Sequence, residues 1–220
     1  MDLSKKSLYR DRKKFFNDHA GSWIDMYCRD PESGRFLNEK KFDRLFSLVP
    51  LKPGDTVLDV GCGSGILAPM ILERVTRSGM LYELDYAEKM IEENRKLHKD
   101  ENIRFIVADA EEAPLDGESC DVIFCFSCFP HFDRKQEVLA SLARLLRGGG
   151  ALVISHFGSA EEINRRHKTC FAVMHDRLCD EAEMRSMIET TGFAIEKFID
   201  ESGFYFIRAR KPGQSTAAPV

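Results

Sequence analysis

The chain has 220 residues, of which 43% are hydrophobic and 31% charged, and these values fit one large globular domain better than two. A formal net charge of −4 argues against a broad nucleic-acid-binding face, and no apolar run approaches the length that crosses a membrane. The polar, basic start is unlike a secretory signal, and seven irregularly spaced cysteines are typical of reduced thiols, so we expect a cytoplasmic protein.

The first 50 residues predict a helical cap. Leu8–Asp18 reads as a helix whose basic run, Lys5–Lys14, is expected on a solvated face. Phe36–Leu48 reads as a second helix. Between them, Phe15–Tyr27 (FFNDHAGSWIDMY) holds an aromatic cluster, a histidine and the only tryptophan.

From residue 56 onward, short apolar runs alternate with longer helical stretches. The apolar runs lack in-and-out alternation, which is typical of parallel strands buried on both faces. The predicted strands are Thr56–Val60, Met80–Leu84, Ile103–Val107, Cys120–Phe126, Ala151–Ser155, Ala194–Ile199 and Phe204–Arg210. The predicted helices are Ile66–Arg74, Ala87–His98, Arg134–Arg147, Ala160–Lys168 and Glu181–Thr190, and glycines 148–150 are expected to end the third of these.

This pattern predicts an α/β protein: a single doubly wound, mostly parallel seven-stranded sheet with helices on both faces. One domain is expected over residues 1–212, with an insert at 156–180 and a disordered tail at 213–220. In such sheets the ligand lies at the carboxyl ends of the strands.

Three glycines follow the first strand at every second position, in VLDVGCGSGIL (Val57–Leu67). Gly61, Gly63 and Gly65 allow positive φ angles and let a ligand approach the backbone closely. The following helix offers unpaired N–H groups to an anionic group. A dinucleotide-binding fingerprint would need a glycine where the chain has Ile66, so the loop predicts a different small molecule.

The segment VLDVGCGSG resembles motif I of the class I S-adenosylmethionine-dependent methyltransferases, and the resemblance extends along most of the chain. It implies S-adenosyl-L-methionine as the cofactor and a Rossmann-like methyltransferase fold. Within the motif, the resemblance places five residues against the cofactor: Asp59, Gly61, Cys62, Gly63 and Gly65.

Two later segments supply the remaining cofactor residues that the resemblance implies. In LYELDYAEKM, Asp85 would hold the ribose hydroxyls, with Glu83 as the competing choice, and Tyr86 would lie against the adenine. In FIVADAEEAPL, Asp109 and Ala110 would border the adenine edge. The alternative is that the two aspartates only cap the helices that follow them.

The methyl acceptor is expected to bind outside these motifs, between the N-terminal cap and the insert. His131 and His156 follow the fourth and fifth predicted strands, so both are candidate general bases. The chain lacks the [DNS]-P-P-[YFW] motif of nucleic-acid amino methylases and the paired-glutamate loop of protein arginine methylases. The motifs are similar to those of the ubiquinone and menaquinone biosynthesis group, which implies O-, C- or N-methylation of a small molecule.

Two other interpretations stay open. CDVIFCFSCFPHFD resembles the family's fourth-strand motif and implies that Cys125 lies near the cofactor. The spacing Cys125-x-x-Cys128-x-x-His131 could also form a thiolate site for a metal or an arsenite-like metalloid, although strand residues three apart face opposite sides. This site could be completed by Cys62, His156 or Cys170. A non-catalytic, cofactor-binding scaffold is the second interpretation, because a fold does not fix a function.

Overall fold

The computed structural model describes residues 3–28 and 37–213. Its strands are β1 Thr56–Val60, β2 Met80–Asp85, β3 Ile103–Val107, β4 Cys120–Phe126, β5 Leu146–His156, β6 Ala194–Glu201 and β7 Phe204–Arg210. Its helices are α1 Leu3–His19, α2 Trp23–Cys28, α3 Glu39–Leu48, α4 Ala68–Val75, α5 Glu88–Leu97, α6 Lys135–Leu145, α7 Ala160–His167 and α8 Glu181–Thr190. The predicted tail from residue 214 onward, and Phe36, lie outside the described residues.

All seven strands belong to one mixed sheet, in the order β3-β2-β1-β4-β5-β7-β6. The pairs β1–β2, β1–β4, β2–β3 and β4–β5 are parallel, whereas β7 is antiparallel to both β5 and β6. The predicted seven-stranded α/β sheet is therefore confirmed. The parallel strands β1 to β5 bring their carboxyl ends to one edge of the sheet, where a ligand site is expected.

Alternate residues of the central strands enter two separate cores. Leu58 packs with α6, α7 and α8, whereas its neighbour Val57 packs with α3 and α4. The same alternation relates Ile123 to Phe124 in β4, since successive strand residues face opposite sides of a sheet. Helices therefore cover both faces, and this explains the continuous apolar runs of the sequence.

The glycine run after α6 does not end the helix as predicted. The helix ends at Leu145, and glycines 148–150 lie inside β5. There the Lys211 N–H donates to the Gly150 carbonyl at 2.9 Å, and the register of β4 against β5 shifts between Cys120 and Val122. A Cβ on Gly150 would lie 2.9 Å from the Asp121 carbonyl oxygen, so the glycine permits this irregular pairing.

The N-terminal cap is anchored through a small third core. Phe16 and Ala20 pack with Ala87 and Met90 at the start of α5, and with Val173 from the loop after α7. The cap and the insert thereby meet above the carboxyl edge of the sheet. Among the described residues, no helix combines the length and the apolar character needed to cross a lipid bilayer.

Candidate cofactor and acceptor site

A cavity of about 1080 Å³ lies at the carboxyl edge of the sheet, under α1 and α2. The loop after α7 closes another part of its wall. Of the ten residues predicted to bind the cofactor, eight line this cavity: Asp59, Gly61, Cys62, Gly63, Asp85, Tyr86, Asp109 and Ala110. The chain therefore brings together groups that are up to about fifty positions apart in the sequence.

The loop after β1 needs glycine for two different reasons. Gly61 has φ +65°, and a Cβ there would lie 2.5 Å from the Cβ of Cys128. Its N–H donates to the Leu84 carbonyl at 2.7 Å, which fixes the loop against β2. Gly63 lies under the ring of Trp23, whose Nε1 would be 3.3 Å from an added Cβ. The loop thus leaves backbone exposed to the cavity between the cap and the sheet.

Gly65 has a different role from the one predicted, because it does not line the cavity. It has φ +86°, and an added Cβ would lie 2.6 Å from Cγ of Asn94 and 2.8 Å from Cδ2 of His98. Nε2 of His98 is 3.1 Å from the Gly65 carbonyl. The glycine therefore allows close packing of the loop against α5.

Asp85 lines the cavity, whereas Glu83, the competing choice for the ribose, does not. Both carboxylate oxygens of Asp85 accept backbone hydrogen bonds, from Gly63 N–H at 3.0 Å and from Ala87 N–H at 2.8 Å. Burial raises the pKa of Asp85 to about 6 against the opposing effect of these bonds. Asp85 thus fixes the backbone just before α5 without capping the helix, and its remaining lone pairs are available for a ligand.

Glu83 is fully buried behind this site. Its Oε2 accepts from Asn94 Nδ2 at 2.6 Å, and its Oε1 has no hydrogen-bond partner among the described residues. Burial raises the pKa of Glu83 to about 7, although the bond from Asn94 lowers it. Asp59 is its register partner on β1.

Asp59 and Tyr86 provide the test of whether a polar cofactor fits. Asp59 is 1% exposed, and its Oδ1 lacks a hydrogen-bond partner within the described residues, as does the hydroxyl of Tyr86. Burial, and then the neighbouring carboxylates, hold the pKa of Asp59 well above its usual range. Buried polar atoms without partners are costly, and both side chains line the cavity. A ligand that carries hydroxyl and amine groups would satisfy them.

The predicted adenine edge is in contact with the cap. Asp109 is exposed to solvent and accepts from the Tyr9 hydroxyl, with its two oxygens at 2.9 and 3.0 Å. Burial and this hydrogen bond raise the pKa of Tyr9. Ala110 is buried and begins a 3₁₀ turn directly after Asp109. The Tyr9 ring also meets the Tyr86 ring edge-on at 5.3 Å, so α1 closes this end of the cavity.

His131 lines the cavity in a defined tautomer. Its Nδ1 is 2.7 Å from Oδ2 of Asp176, and because a carboxylate only accepts, Nδ1 carries the proton. The lone pair of Nε2 is then free to accept a proton from a ligand. Burial lowers the pKa of His131 against the opposing effect of Asp176, so the neutral ring is favoured.

His167 and Arg12 complete this cluster. Nδ1 of His167 donates to the backbone carbonyl of Asp176 at 2.9 Å, and the rings of His131 and His167 stack at 5.1 Å. Arg12 makes an ion pair with Asp176, with Nε 3.0 Å from Oδ2. Neither Arg12 nor Asp176 is distinguished by a sequence motif. Arg12 lies in a basic run whose other members give no reason to choose it. Asp176 lies within the insert that was expected at the acceptor site, and this location is the one signal that points to it.

Besides Gly65, two predicted residues lie away from the cavity. His156 is 2% exposed, and its ring packs edge-on against Tyr205 at 6.1 Å. Burial holds the pKa of His156 well below its usual value. Cys125 belongs to the core on the side of α6, because strand alternation turns its neighbour Phe126 toward the cavity instead. The structure therefore keeps both residues from direct contact with a ligand there.

The cavity also has an aromatic wall on the β4 and β5 side. The ring of Phe157 lies 4.7 Å from that of Phe42 and 4.9 Å from that of Phe126. This wall is built from α3, the end of β4 and the loop after β5. The cysteine and histidine spacing of the alternative metal site finds no support, because the described residues hold no group of three or more side chains arranged to bind a metal ion.

Comparisons with known proteins agree with this geometry. A family model described as a methyltransferase domain matches residues 58–154. The 27-O-demethylrifamycin SV methyltransferase of Amycolatopsis mediterranei is 33% identical over 145 residues, which cover 64% of this chain and 51% of that protein. The ubiquinone biosynthesis O-methyltransferase of Coxiella burnetii is 27% identical over 171 residues, which cover 76% of this chain and 68% of that protein. The chain thus spans about half of the length of the first relative.

A solved structure has the same fold. The S-adenosylmethionine-dependent methyltransferase from Aquifex aeolicus superposes with a TM-score of 0.64 at 22% identity, and the match covers 77% of this chain and 88% of that one. The matched family model spans β1 to β5, the strands whose carboxyl ends form the cavity. Residues 58–154 therefore match a methyltransferase domain, and the chain is similar to methyltransferases that include a ubiquinone biosynthesis enzyme.

Proposed function

We propose that the chain transfers a methyl group from S-adenosylmethionine to a hydroxyl group of a small molecule. The observation that carries this proposal is the His131–Asp176 pair, which faces the same cavity as the glycine loop. Two relatives are named for O-methylation, which supports oxygen as the acceptor atom. The order of strands, from β1 out to β3 and back to β4, supports the doubly wound arrangement of the family.

The cofactor half of the cavity is proposed at the ends of β1, β2 and β3. Asp59 and Asp85 would hold polar groups of the cofactor there, and Tyr86 and Asp109 would border its base. The cofactor would approach the backbone closely at Gly61 and Gly63, because these residues have no side chain to prevent it. Trp23, which lies over Gly63, would cover this half from the cap.

The acceptor half is proposed between the cap, residues 1–50, and the insert, residues 156–180. The aromatic wall of Phe42, Phe126 and Phe157 supports a cyclic or aromatic acceptor. His131 and His167 add a polar part to the lining of the same cavity. No nucleic-acid partner is proposed.

The cofactor supplies an electrophilic methyl group on a sulfonium. His131 would orient the acceptor hydroxyl and take its proton on Nε2 as the new oxygen–carbon bond forms and the sulfur–carbon bond breaks. Asp176 accepts from Nδ1, so it keeps the ring in the tautomer that can accept this proton and stabilises the imidazolium that results. The covered cavity keeps water from competing with the acceptor.

Cofactor binding is tested first, through Trp23. This residue is the only tryptophan of the chain, and it lies against Gly63, so its fluorescence reports directly on the proposed site. Titration with S-adenosylmethionine and S-adenosylhomocysteine should change the emission and give matching affinities by calorimetry. If neither compound binds, the proposed function is wrong. Binding without turnover of phenols or quinols would instead favour a scaffold.

The role of His131 is tested once an acceptor is found. His131→Gln should leave S-adenosylhomocysteine affinity within about threefold and lower turnover by at least about a hundredfold, the usual range for loss of a general base. His156→Gln is the matched comparison, because its side chain does not reach the cavity. Equal turnover in His131→Gln and in the wild type would show that His131 is not the general base.

A further inference from the structure

Arg12 is a buried cation on an otherwise solvated helix. Arg12 is 4% exposed. Arg10, which lies half a helical turn away on α1, exposes 79% of its side-chain surface to solvent. A buried charge is stable only when it is paired and hydrogen-bonded. The buried guanidinium of Arg12 therefore needs ion-pair and hydrogen-bond partners, and all of these come from outside α1.

One guanidinium joins three groups of the acceptor site. Its Nη1 donates to the His131 carbonyl, its Nη2 donates to Oδ1 of Asp133 at 2.9 Å, and its Nε lies 3.0 Å from Oδ2 of Asp176. Asp176 Oδ2 is the same atom that accepts from Nδ1 of His131. Arg12 and His131 thus share one carboxylate oxygen.

The partners of Arg12 belong to two different segments of the chain. His131 and Asp133 follow β4, whereas Asp176 lies in the loop after α7. The remaining contacts of α1 lie mainly on the cofactor side, where Tyr9 meets Asp109 and Phe16 meets Trp23. A single helix therefore contacts both halves of the cavity.

We propose that Arg12 is a positioning residue, through which closure of α1 over the cofactor half completes the His131–Asp176 pair in the acceptor half. The planar guanidinium holds the carboxylate of Asp176 and the backbone of His131 at a fixed separation. When α1 moves away, Asp176 loses one of its two partners and His131 loses its backbone anchor. The catalytic meaning of this coupling rests on the proposed function, but the coupling itself does not.

The charges around His131 make the coupling measurable. Asp176 raises the pKa of His131, and Arg12 and Lys135 lower it. Asp133 pairs with Arg12, and the rings of His167 and Phe16 pack against His131. His156 also lies close enough for its pKa to be lowered by His131. Loss of Arg12 should thus raise the pKa of His131, and loss of the Asp176 charge should lower it.

The test compares Arg12→Gln, Asp176→Asn and Arg10→Gln in the full chain without ligand. Imidazole nitrogen NMR gives the tautomer and the pKa of His131 in each variant. We expect opposite pKa shifts for Arg12→Gln and Asp176→Asn, and none for Arg10→Gln, which makes the same change on the solvated face. Amide exchange in α1 should become at least about tenfold faster in Arg12→Gln, since breaking a buried ion pair costs more than that factor.

An unchanged His131 pKa and tautomer in folded Arg12→Gln would overturn the proposal, and so would unchanged exchange in α1. If Arg12→Gln does not fold, Arg12→Lys replaces it, because a lysine keeps the charge but cannot make the three contacts at once. In that variant the exchange of α1 should still rise. Failure of the proposed function shows separately, as a wild-type chain that does not bind S-adenosylhomocysteine.

Discussion

Two buried carboxyls at the end of β2 have different chemical settings. Asp85 reaches the cavity with two backbone donors on its oxygens, and Glu83 lies behind it with one amide donor. Burial raises the pKa of both, to about 6 for Asp85 and about 7 for Glu83. Asp85 has the lower pKa of the two and is the one that lines the cavity, so its carboxylate is placed to accept from ligand hydroxyls.

The charge state of Asp85 should control cofactor affinity. Ligand hydroxyls that donate to the ionised carboxylate lower its pKa on binding, so binding releases a proton once the pH is below about 6. Affinity for S-adenosylhomocysteine should be full above this pH and fall as the pH drops through it. Asp85→Asn should bind at least about tenfold more weakly at pH 8, since charge-assisted bonds are lost, and its affinity should respond less to pH.

Calorimetry across this pH range, in buffers of different ionisation enthalpy, measures both the affinity and the protons released. Glu92→Gln, on the exposed surface of α5, is the matched control and should follow the wild type. A wild-type affinity that does not change between pH 5 and 8 would contradict the role of Asp85.

Gly61 is a cavity-lining loop position where a side chain should be strongly destabilising. Its φ of +65° and the Cβ of Cys128, 2.5 Å from an added methyl, both oppose substitution. Gly61→Ala should lower the free energy of unfolding by about 2 kcal/mol, in the range of local backbone strain, and abolish measurable cofactor binding. Gly21→Ala is the control, because nothing lies within 4 Å of a Cβ there. Denaturant unfolding and Trp23 fluorescence measure the two effects, and wild-type values for Gly61→Ala would refute the tight fit of this loop.

At the scale of elements, α1 buries few of its described side chains. It spans 17 residues, yet only Arg12 and Phe16 are buried among its residues 7–19. Its other contacts are polar and partly solvated, such as the ion pair of Lys13 with Glu88 at 2.5 Å. Helices that bury little apolar surface open at low free energy, so α1 is suited to open and close over the cofactor.

Phe16 should therefore contribute more to binding than to stability. Its ring meets the rings of Trp23, Tyr86 and His131 at 5.3 to 6.3 Å. Phe16→Ala should weaken S-adenosylhomocysteine binding by about tenfold, the effect of losing one or two aromatic contacts of this kind. Phe171→Ala removes a ring that is 79% exposed and should change nothing. Equal affinities for the two variants, measured by calorimetry, would mean that α1 does not cover the cofactor.

At the scale of the whole molecule, Glu83 makes stability depend on pH. Its pKa of about 7 in the folded chain lies above its ordinary value of 4.5, so the folded state binds the proton more tightly. The free energy of unfolding should therefore fall as the pH rises from about 4.5 to about 7, by on the order of 2 kcal/mol. Glu83→Gln should flatten this profile, and Glu92→Gln should not. Thermal or denaturant unfolding between pH 5 and 8 measures the difference between the wild type and Glu83→Gln, and a difference that does not change with pH would contradict the assignment.

The sequence alone determined the sheet and the glycine loop, and it indicated the resemblance to methyltransferases. Strands β1, β4 and β7 begin and end where the apolar runs predict, because burial on both faces leaves a signal within five to seven consecutive residues. The bounds of β3 also match, although this edge strand is only partly buried. Motif I is equally local, since a loop that packs this closely needs its glycines at fixed positions. The choice of Asp85 over Glu83 was also made from sequence, on the helix that follows it, and the placement of Asp85 in the cavity supports it.

Only the tertiary structure decided which residues complete the acceptor site. Arg12 meets His131 across 119 positions, and no periodicity within the basic run distinguishes Arg12 from its solvated neighbours. His131 and His156 both follow strands, yet only His131 reaches the cavity, since the side chain of His156 packs against β7. The spacing of apolar residues along the sequence indicates which face of a helix or strand is buried. The partner that a buried charge finds depends on segments that come together only when the chain folds.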